Sequence, residues 1–386
     1  MSVRLFRILL ALALVAFHSV AVAATAVHNI NGYTSTNDGI VEFDVIVFGD
    51  DGRVIAVGDD SLLEKHAEAS RIDGGGRTVL PGLTDAHAHV TSLGFLETQA
   101  NVMGIDTLEG TTAEIRRFAE DNPGAPWILG RGWNQVLWES NEFPTASDLD
   151  AAVADRPAWL RRVDGHAGWA NSAALKVSGI DRDTPDPVGG KIIRDDNGDA
   201  TGVLIDTAME LVSKHVPQPD KASTRAAVRA AANVMLSEGI TSVHDAGTDV
   251  LEAEVFMAMA DDGELDVRIY AMTAGADDVL DAIGEPIVAY GNDRLDIRSV
   301  KLYSDGALGS RGAAMIEPYS DDAENRGLAF WTQDELDAMV AKANGMGFQV
   351  GIHAIGDLGN RMSLNAFEKV QGGNPSPLRN RIEHSQ

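Results

Sequence analysis

From Leu80 onward, short apolar runs alternate with longer segments whose apolar positions recur at helical spacing. Six runs read as strands: 83–90, 241–246, 267–272, 297–304, 348–353 and 381–385. The segments between them read as helices. Residues 223–238 set Val228, Ala231, Met235 and Leu236 along one face and stop at Gly239, a helix with a glycine terminator. Thr332-Gln333-Asp334-Glu335 reads as a capping box that opens a helix running toward Gly345. Strands that alternate with helices predict a parallel sheet or barrel.

Two stretches break this rhythm. Residues 27–80 are strand-like throughout, with apolar runs at 41–48 and 53–57 around Gly49-Asp50-Asp51-Gly52, a hairpin signal. Gly74-Gly75-Gly76 reads as a turn before a last short run. A β-module of this size is too small for a substantial core of its own. The second stretch, about 101–220, lies between the first two strands of the alternating region and is too long for a plain strand-to-helix loop. It is read as a subdomain inserted over the barrel mouth. It holds a second apparent capping box at Thr111-Thr112-Ala113-Glu114, an aromatic stretch at 127–138, and a hairpin turn at Asp196-Asn197-Gly198.

The N-terminus has a different pattern. Arg4 and Arg7 precede an apolar run over 8–17, and small residues lead to Ala21-Val22-Ala23. A basic start, a short apolar run and an A-x-A site make a secretory signal over 1–24. The run is too short to span about 30 Å of hydrocarbon. The mature chain is therefore expected to be exported, to the periplasm or beyond, with no membrane attachment after cleavage.

The 386 residues carry a formal charge of -27, which argues against nucleic acid and anionic lipid as partners. There is no cysteine, so disulfides, thiolate metal sites and Cys nucleophiles are excluded. Any metal must sit on His, Asp, Glu or Lys. The strongest chemical signal is Pro81-Gly82-Leu83-Thr84-Asp85-Ala86-His87-Ala88-His89. On a strand, residues i and i+2 share a face, so His87 and His89 point together at the strand's C-terminal end, where barrel sites are built. His353 and His384 each end a later strand. Four imidazoles from three strand ends make a metal centre.

Lys301 shares a strand face with Tyr303 and Asp305, while Val300 and Leu302 face the other way. A mid-strand lysine in a covered sheet must be neutralised or paired. Two readings stand: a pair with Asp305 or another acid, or addition of CO2 to give a carboxylate-like carbamate that ligates metal. His166, in the insertion, reads as a substrate contact or lid residue, with a structural histidine the alternative. Arg131 and Trp133 are candidate pocket residues, a packed aromatic with a surface arginine being the alternative; His244 and Asp245 are candidate supports behind the metal ligands, and Asp85 a candidate for orienting one of them.

These residues resemble the amidohydrolase superfamily, and in particular its family 3, the branch that includes N-substituted formamide deformylases. The resemblance extends to Gly130-Arg131-Gly132-Trp133-Asn134, to 164–172, to 239–247 and to 305–311. It implies an α/β fold: a distorted TIM (β/α)8 barrel over 81–386, with about six of eight strands present, a small N-terminal β-sandwich at 25–80, and the insertion after barrel strand one. It implies His87, His89, carbamylated Lys301, His353 and His384 as metal ligands, with one or two divalent ions, zinc being usual. Lys301, His353 and His166 are then the catalytic candidates, and Arg131, Trp133, Asp305 and Arg311 the substrate-binding ones.

The expected activity is metal-dependent hydrolysis of a non-peptide carbon–nitrogen bond in a small molecule of amide or N-formyl type. Ester or cyclic-amide hydrolysis on the same scaffold is the alternative, because fold does not select substrate. The family's eighth strand carries an Asp ligand and base. The strand count here stops at six, so the sequence is expected to be incomplete, and an inactive fragment is the further alternative. A homo-oligomer is compatible with this reading.

Overall fold

A computed structural model describes residues 24–386 apart from Ala276 and Ser310, so the expected leader lies outside the described residues except for Ala24. The chain divides after Gly82 into two units. In the first, strands Gly39–Phe43, Ala24–Thr36, Val45–Gly49 and Val54–Gly58 lie side by side, and Ser70–Val79 pairs in parallel with Ala24–Thr36. Ala26, Val45, Val47 and Leu62 form its small core. The predicted hairpin joins Val45–Gly49 to Val54–Gly58. The three glycines do not make a turn. They lie inside the strand Ser70–Val79, where Gly75 and Gly76 take φ of 63° and 71° opposite a register shift at His28/Ile30. They form an irregularity in a continuous strand, a conformation that glycine adopts without steric cost.

The second unit is a mixed α/β fold built on a parallel, barrel-like sheet. Its strands are β1 (Leu83–Ala88), β2 (Ile240–Thr248), β3 (Arg268–Ala274), β4 (Leu295–Tyr303), β5 (Gln349–Ala354) and β6 (Arg381–His384), adjacent in space in chain order and all parallel. A short strand, Ile287–Ala289, pairs antiparallel with β4. The flanking helices include α1 (Val90–Thr98), α2 (Lys221–Ser237), α3 (Val250–Asp261), α4 (Gln333–Gly345) and α5 (Asp357–Gln371). Alternation along the strands sends one set of side chains into the helical layer. Val243, Ile269, Ala271 and Ile297 pack with Val228, Met235, Phe256 and Met259, while Val300, Leu302, Val350 and Ile352 pack with Leu336, Val340, Ala366 and Phe367.

The sheet is curled. Six flat strands would set β1 and β6 roughly 24 Å apart at about 4.8 Å per spacing. Instead, His87 of β1 and Glu383 of β6 are in hydrogen-bond contact at 2.5 Å. The polar faces of the strands therefore look across a common interior.

Between α1 and α2 lies a second sheet of six strands. Their spatial order is Gly190–Arg194, Ala200–Asp206, Ala167–Ala170, Ala158–Arg162, Ile128–Trp133 and Ala100–Asn101. The turn at Asp196-Asn197-Gly198 joins the antiparallel pair Gly190–Arg194 and Ala200–Asp206. Thr111–Glu114 is not a helix start: it sits within the helix Leu108–Asp121, whose N-cap is Thr107, with its side chain accepting from the Gly110 N–H. Thr332 does cap α4, with the reciprocal Glu335 bond in place. Among the described residues no helix is long and apolar enough to cross a membrane.

Candidate metal centre

The C-terminal ends of the parallel strands carry the chemistry. His87 lies near the end of β1, and His89 follows at the N-cap of α1, where its ring makes no capping bond. His353 lies near the end of β5, in register with Tyr303 of β4 and Glu383 of β6. His384 closes β6 at φ 74°. It therefore leaves the extended backbone whose alternation would send it outward with Ile382. The rings form a chain: His89 to His87 at 5.7 Å between centroids, His87 to His384 at 4.7 Å, and His384 to His353 at 4.5 Å.

Lys301 is 1% exposed, and its Nζ sits 4.5 Å from the centre of the Tyr303 ring. It lies on the interior face opposite Val300 and Leu302, which are in the helical core. Burial is the main cause that brings its ammonium down to about 8, with Arg381 acting in the same direction and Glu383 opposing. The amine is near enough to His89, His353 and His384 to lower each of them electrostatically. For all three imidazoles the larger cause is burial, and His384 falls to about 4, with His353 and His87 next in effect. These rings are therefore neutral at pH 7 and keep a lone pair for a ligand.

The donors stand side by side rather than closed on one point: among the described residues, no three His, Cys, Asp or Glu side chains already surround a common cation position. Their spacing and charge state nevertheless suit a divalent ion. Two imidazoles on one zinc, each bonded at about 2.0–2.1 Å, have centroids roughly 5 Å apart. The observed separations of 4.5 to 5.7 Å bracket that value.

The supports behind these rings differ from those read in the sequence. Asp85 accepts the backbone N–H of His87 at 3.0 Å. The partner of the His87 ring is Glu383, 5% exposed, whose Oε2 is 2.5 Å from Nδ1. Glu383 also pairs through Oε1 with Arg381 Nε at 2.5 Å, and Arg381 reaches His244 Nδ1 at 2.8 Å and the Ala86 carbonyl at 3.1 Å. Asp245 is buried and accepts from the Val90 N–H at 2.7 Å and the Thr248 hydroxyl at 2.6 Å, which fixes the start of α1 beside His89. Neither Arg381 nor Glu383 stood out in the sequence. Their i, i+2 parity opposite Ile382 was the available signal, but 296 positions separate Glu383 from His87.

The other candidates lie apart from this cluster or have different partners. Asp305 is 1% exposed and its carboxylate accepts three backbone N–H groups, from Ala314 at 2.9 Å, Ile355 at 3.0 Å and Gly356 at 2.7 Å. It is 4.0 Å from His353 Nε2 and is not the partner of Lys301 in the structure. Arg311 is exposed and forked onto Asp321 at 2.7 and 3.2 Å. Trp133 is fully buried in the insertion, packed against Trp138, Phe143 and Trp169, with its indole N–H donated to the Leu160 carbonyl. Arg131 is exposed on the same strand. His166 is exposed, its Nδ1 2.8 Å from Asp206 Oδ1, beside a cavity of about 470 Å³ that Arg161, Thr207 and Glu210 also line.

Comparison with known proteins bears on this geometry. Residues 71–386 match the model of the amidohydrolase family. The chain is 33% identical over 378 residues to the protein LONG AFTER FAR-RED 3 of Arabidopsis thaliana, covering 92% of this chain and 63% of that protein. It is 27% identical to an N-substituted formamide deformylase of Arthrobacter pascens, over 88% of this chain and 65% of the relative. The chain thus spans slightly under two thirds of the length of these relatives. Its fold is similar to the crystal structure of an uncharacterized metal-dependent hydrolase from Pyrococcus horikoshii, with a TM-score of 0.76 and 27% identity over 94% of this chain and 70% of that one. A barrel-like parallel sheet with histidines gathered at its C-terminal rim, and a family match that runs from residue 71 to 386, place the chain in the amidohydrolase family.

Proposed function

We propose that this chain carries the metal centre of an exported hydrolase that cleaves non-peptide carbon–nitrogen bonds in small amides, including N-formyl compounds. The observation that carries the reading is the chain of rings His89, His87, His384 and His353, with the buried amine of Lys301 within electrostatic reach of His89, His353 and His384. The relative named as a formamide deformylase supports the substrate class.

His87, His89, His353, His384 and Lys301 would hold the ion, with zinc the proposed metal. A bound divalent cation supplies a Lewis acid for the carbonyl and a water of lowered pKa. The chain's own residues do the rest. Burial keeps His89, His353 and His384 neutral, so nitrogen lone pairs on these rings are free to bind. Lys301, brought down to about 8, has a sizeable neutral fraction at mildly alkaline pH. The neutral amine adds CO2, forming an N–C bond and releasing one amine proton to solvent. The carbamate that results is anionic and offers two oxygens. Asp305 ties the end of β4 to the start of α5 through its three backbone bonds and so holds His353 in place. His166, with Nδ1 against Asp206, lines the neighbouring cavity of the insertion and is proposed as a substrate contact there. Arg131 and Arg311 are the proposed solvent-facing contacts.

The test is product formation. Zinc-loaded protein, incubated with a panel of N-substituted formamides, simple amides, esters and cyclic amides, should release amine from an amide substrate. Chelation or His89→Gln should abolish turnover. Hydrolysis that is indifferent to both would overturn the metal mechanism, and turnover confined to the esters would move the substrate class.

A further inference from the structure

We propose that Glu383 is a positioning residue for His87: it fixes the imidazole as the Nδ1–H tautomer, so that Nε2 keeps its lone pair for the cation. This rests on the reading of His87 as a ligand. The argument is geometric. Glu383 Oε2 is 2.5 Å from His87 Nδ1, and Glu383 is 5% exposed. Its other oxygen faces Arg381 Nε at 2.5 Å. A carboxylate held against a guanidinium is an acceptor only, so the proton between Glu383 and His87 belongs to Nδ1. In the neutral ring with its proton on Nδ1, Nε2 is the nitrogen that carries the lone pair. A carboxylate behind a ligating histidine is the usual means of setting tautomer and ring orientation, and its loss typically costs 10–100-fold in metal affinity.

Arg381 makes this arrangement specific to the curled sheet. Its guanidinium, on β6, reaches His244 of β2, the Ala86 carbonyl of β1 and the Met272 sulfur of β3. It thereby holds β6 across the interior from β1, at the height where Glu383 meets His87. The pair Arg381 and Glu383 thus joins the first and last strands of the sheet through the ligand itself.

The experiment uses the full chain labelled with ¹⁵N-histidine, with the His87 ring signals assigned by comparison with His87→Asn. Metal-free wild type should show His87 as the Nδ1–H tautomer. Glu383→Ala should lose that preference and bind zinc 10–100-fold more weakly in chelator competition. Glu383→Gln keeps a carbonyl acceptor and should recover most of both readouts. If the carboxylate were only a counter-ion for Arg381, Gln and Ala would fail alike. A wild-type spectrum with His87 protonated at Nε2 overturns the proposal, even if Glu383→Ala does not fold. So does a folded Glu383→Ala protein with wild-type zinc affinity. If wild-type protein shows the tautomer yet binds no zinc, the positioning stands and the metal reading fails.

Discussion

Lys301 is a destabilising residue kept in the core. Burial holds its amine down to about 8, so below that value folding must either desolvate an ammonium or give up its proton. The unfolded chain keeps the proton up to about 10.5, and the amine therefore costs stability at neutral pH. Lys301→Met should raise the melting temperature of the chelator-treated protein and abolish zinc uptake, as thermal melts and metal analysis would show. The imidazoles give a second prediction. In the unfolded chain they titrate near about 6.5, whereas in the folded one His384 does so at about 4 and His89 and His353 are also lowered. Between about 6.5 and about 4 the unfolded state binds more protons, so metal-free stability falls as pH falls. His384→Gln should flatten the drop in denaturation midpoint between pH 7 and pH 5. The comparison is made with this variant because Asp245 and Glu252, whose carboxyls burial pushes up, act in the opposite sense. At this scale the sequence pattern conveyed what is local. The i, i+2 parity of His87 with His89, and of Lys301 with Tyr303, follows from strand geometry. The Glu383–His87 contact depends on the curl of the whole sheet and is invisible to local periodicity.

The elements that position the cluster depend on close backbone contacts. α1 carries His89 at its N-cap and packs on α2, with Gly94 directly against Ala227. A Cβ at Gly94 would stand 1.8 Å from the Ala227 carbonyl oxygen, so one helix would have to move. Gly94→Ala should cost about 1–3 kcal/mol in denaturant unfolding, the range of an overpacked core, despite its gain in helix propensity. Asp305 is the corresponding tie at β4. Asp305→Asn replaces an acceptor with a donor that faces backbone N–H groups, and should cost at least about 2 kcal/mol. Strand positions in the barrel region were legible to within a few residues because buried parallel strands read as apolar runs. The two misread segments, Thr111–Glu114 and Gly74–Gly76, share one cause. A capping pattern is also an acceptable helix interior, and a glycine run can sit in a strand as an irregularity; only pairing partners distinguish the two cases.

At the scale of the molecule, the insertion between α1 and α2 has its own sheet and its own aromatic core around Trp133 and Trp169. The sequence signalled its existence by length alone, and its strand order 190–194, 200–206, 167–170 could not be read from spacing. A ligand that binds only the folded chain stabilises it by mass action, about 2.7 kcal/mol at 100 times its Kd. Zinc should therefore raise the melting temperature of wild type in a concentration-dependent way and leave His87→Asn unmoved. The most direct test is diffraction at the zinc absorption edge from crystals grown near neutral pH with zinc present. An anomalous peak about 2.0–2.1 Å from ring nitrogens of the His87, His89, His353 and His384 set, with Lys301 reaching it, is the predicted result. A zinc-loaded crystal whose peaks all lie away from these rings, or whose Lys301 turns from the ion, would contradict the account.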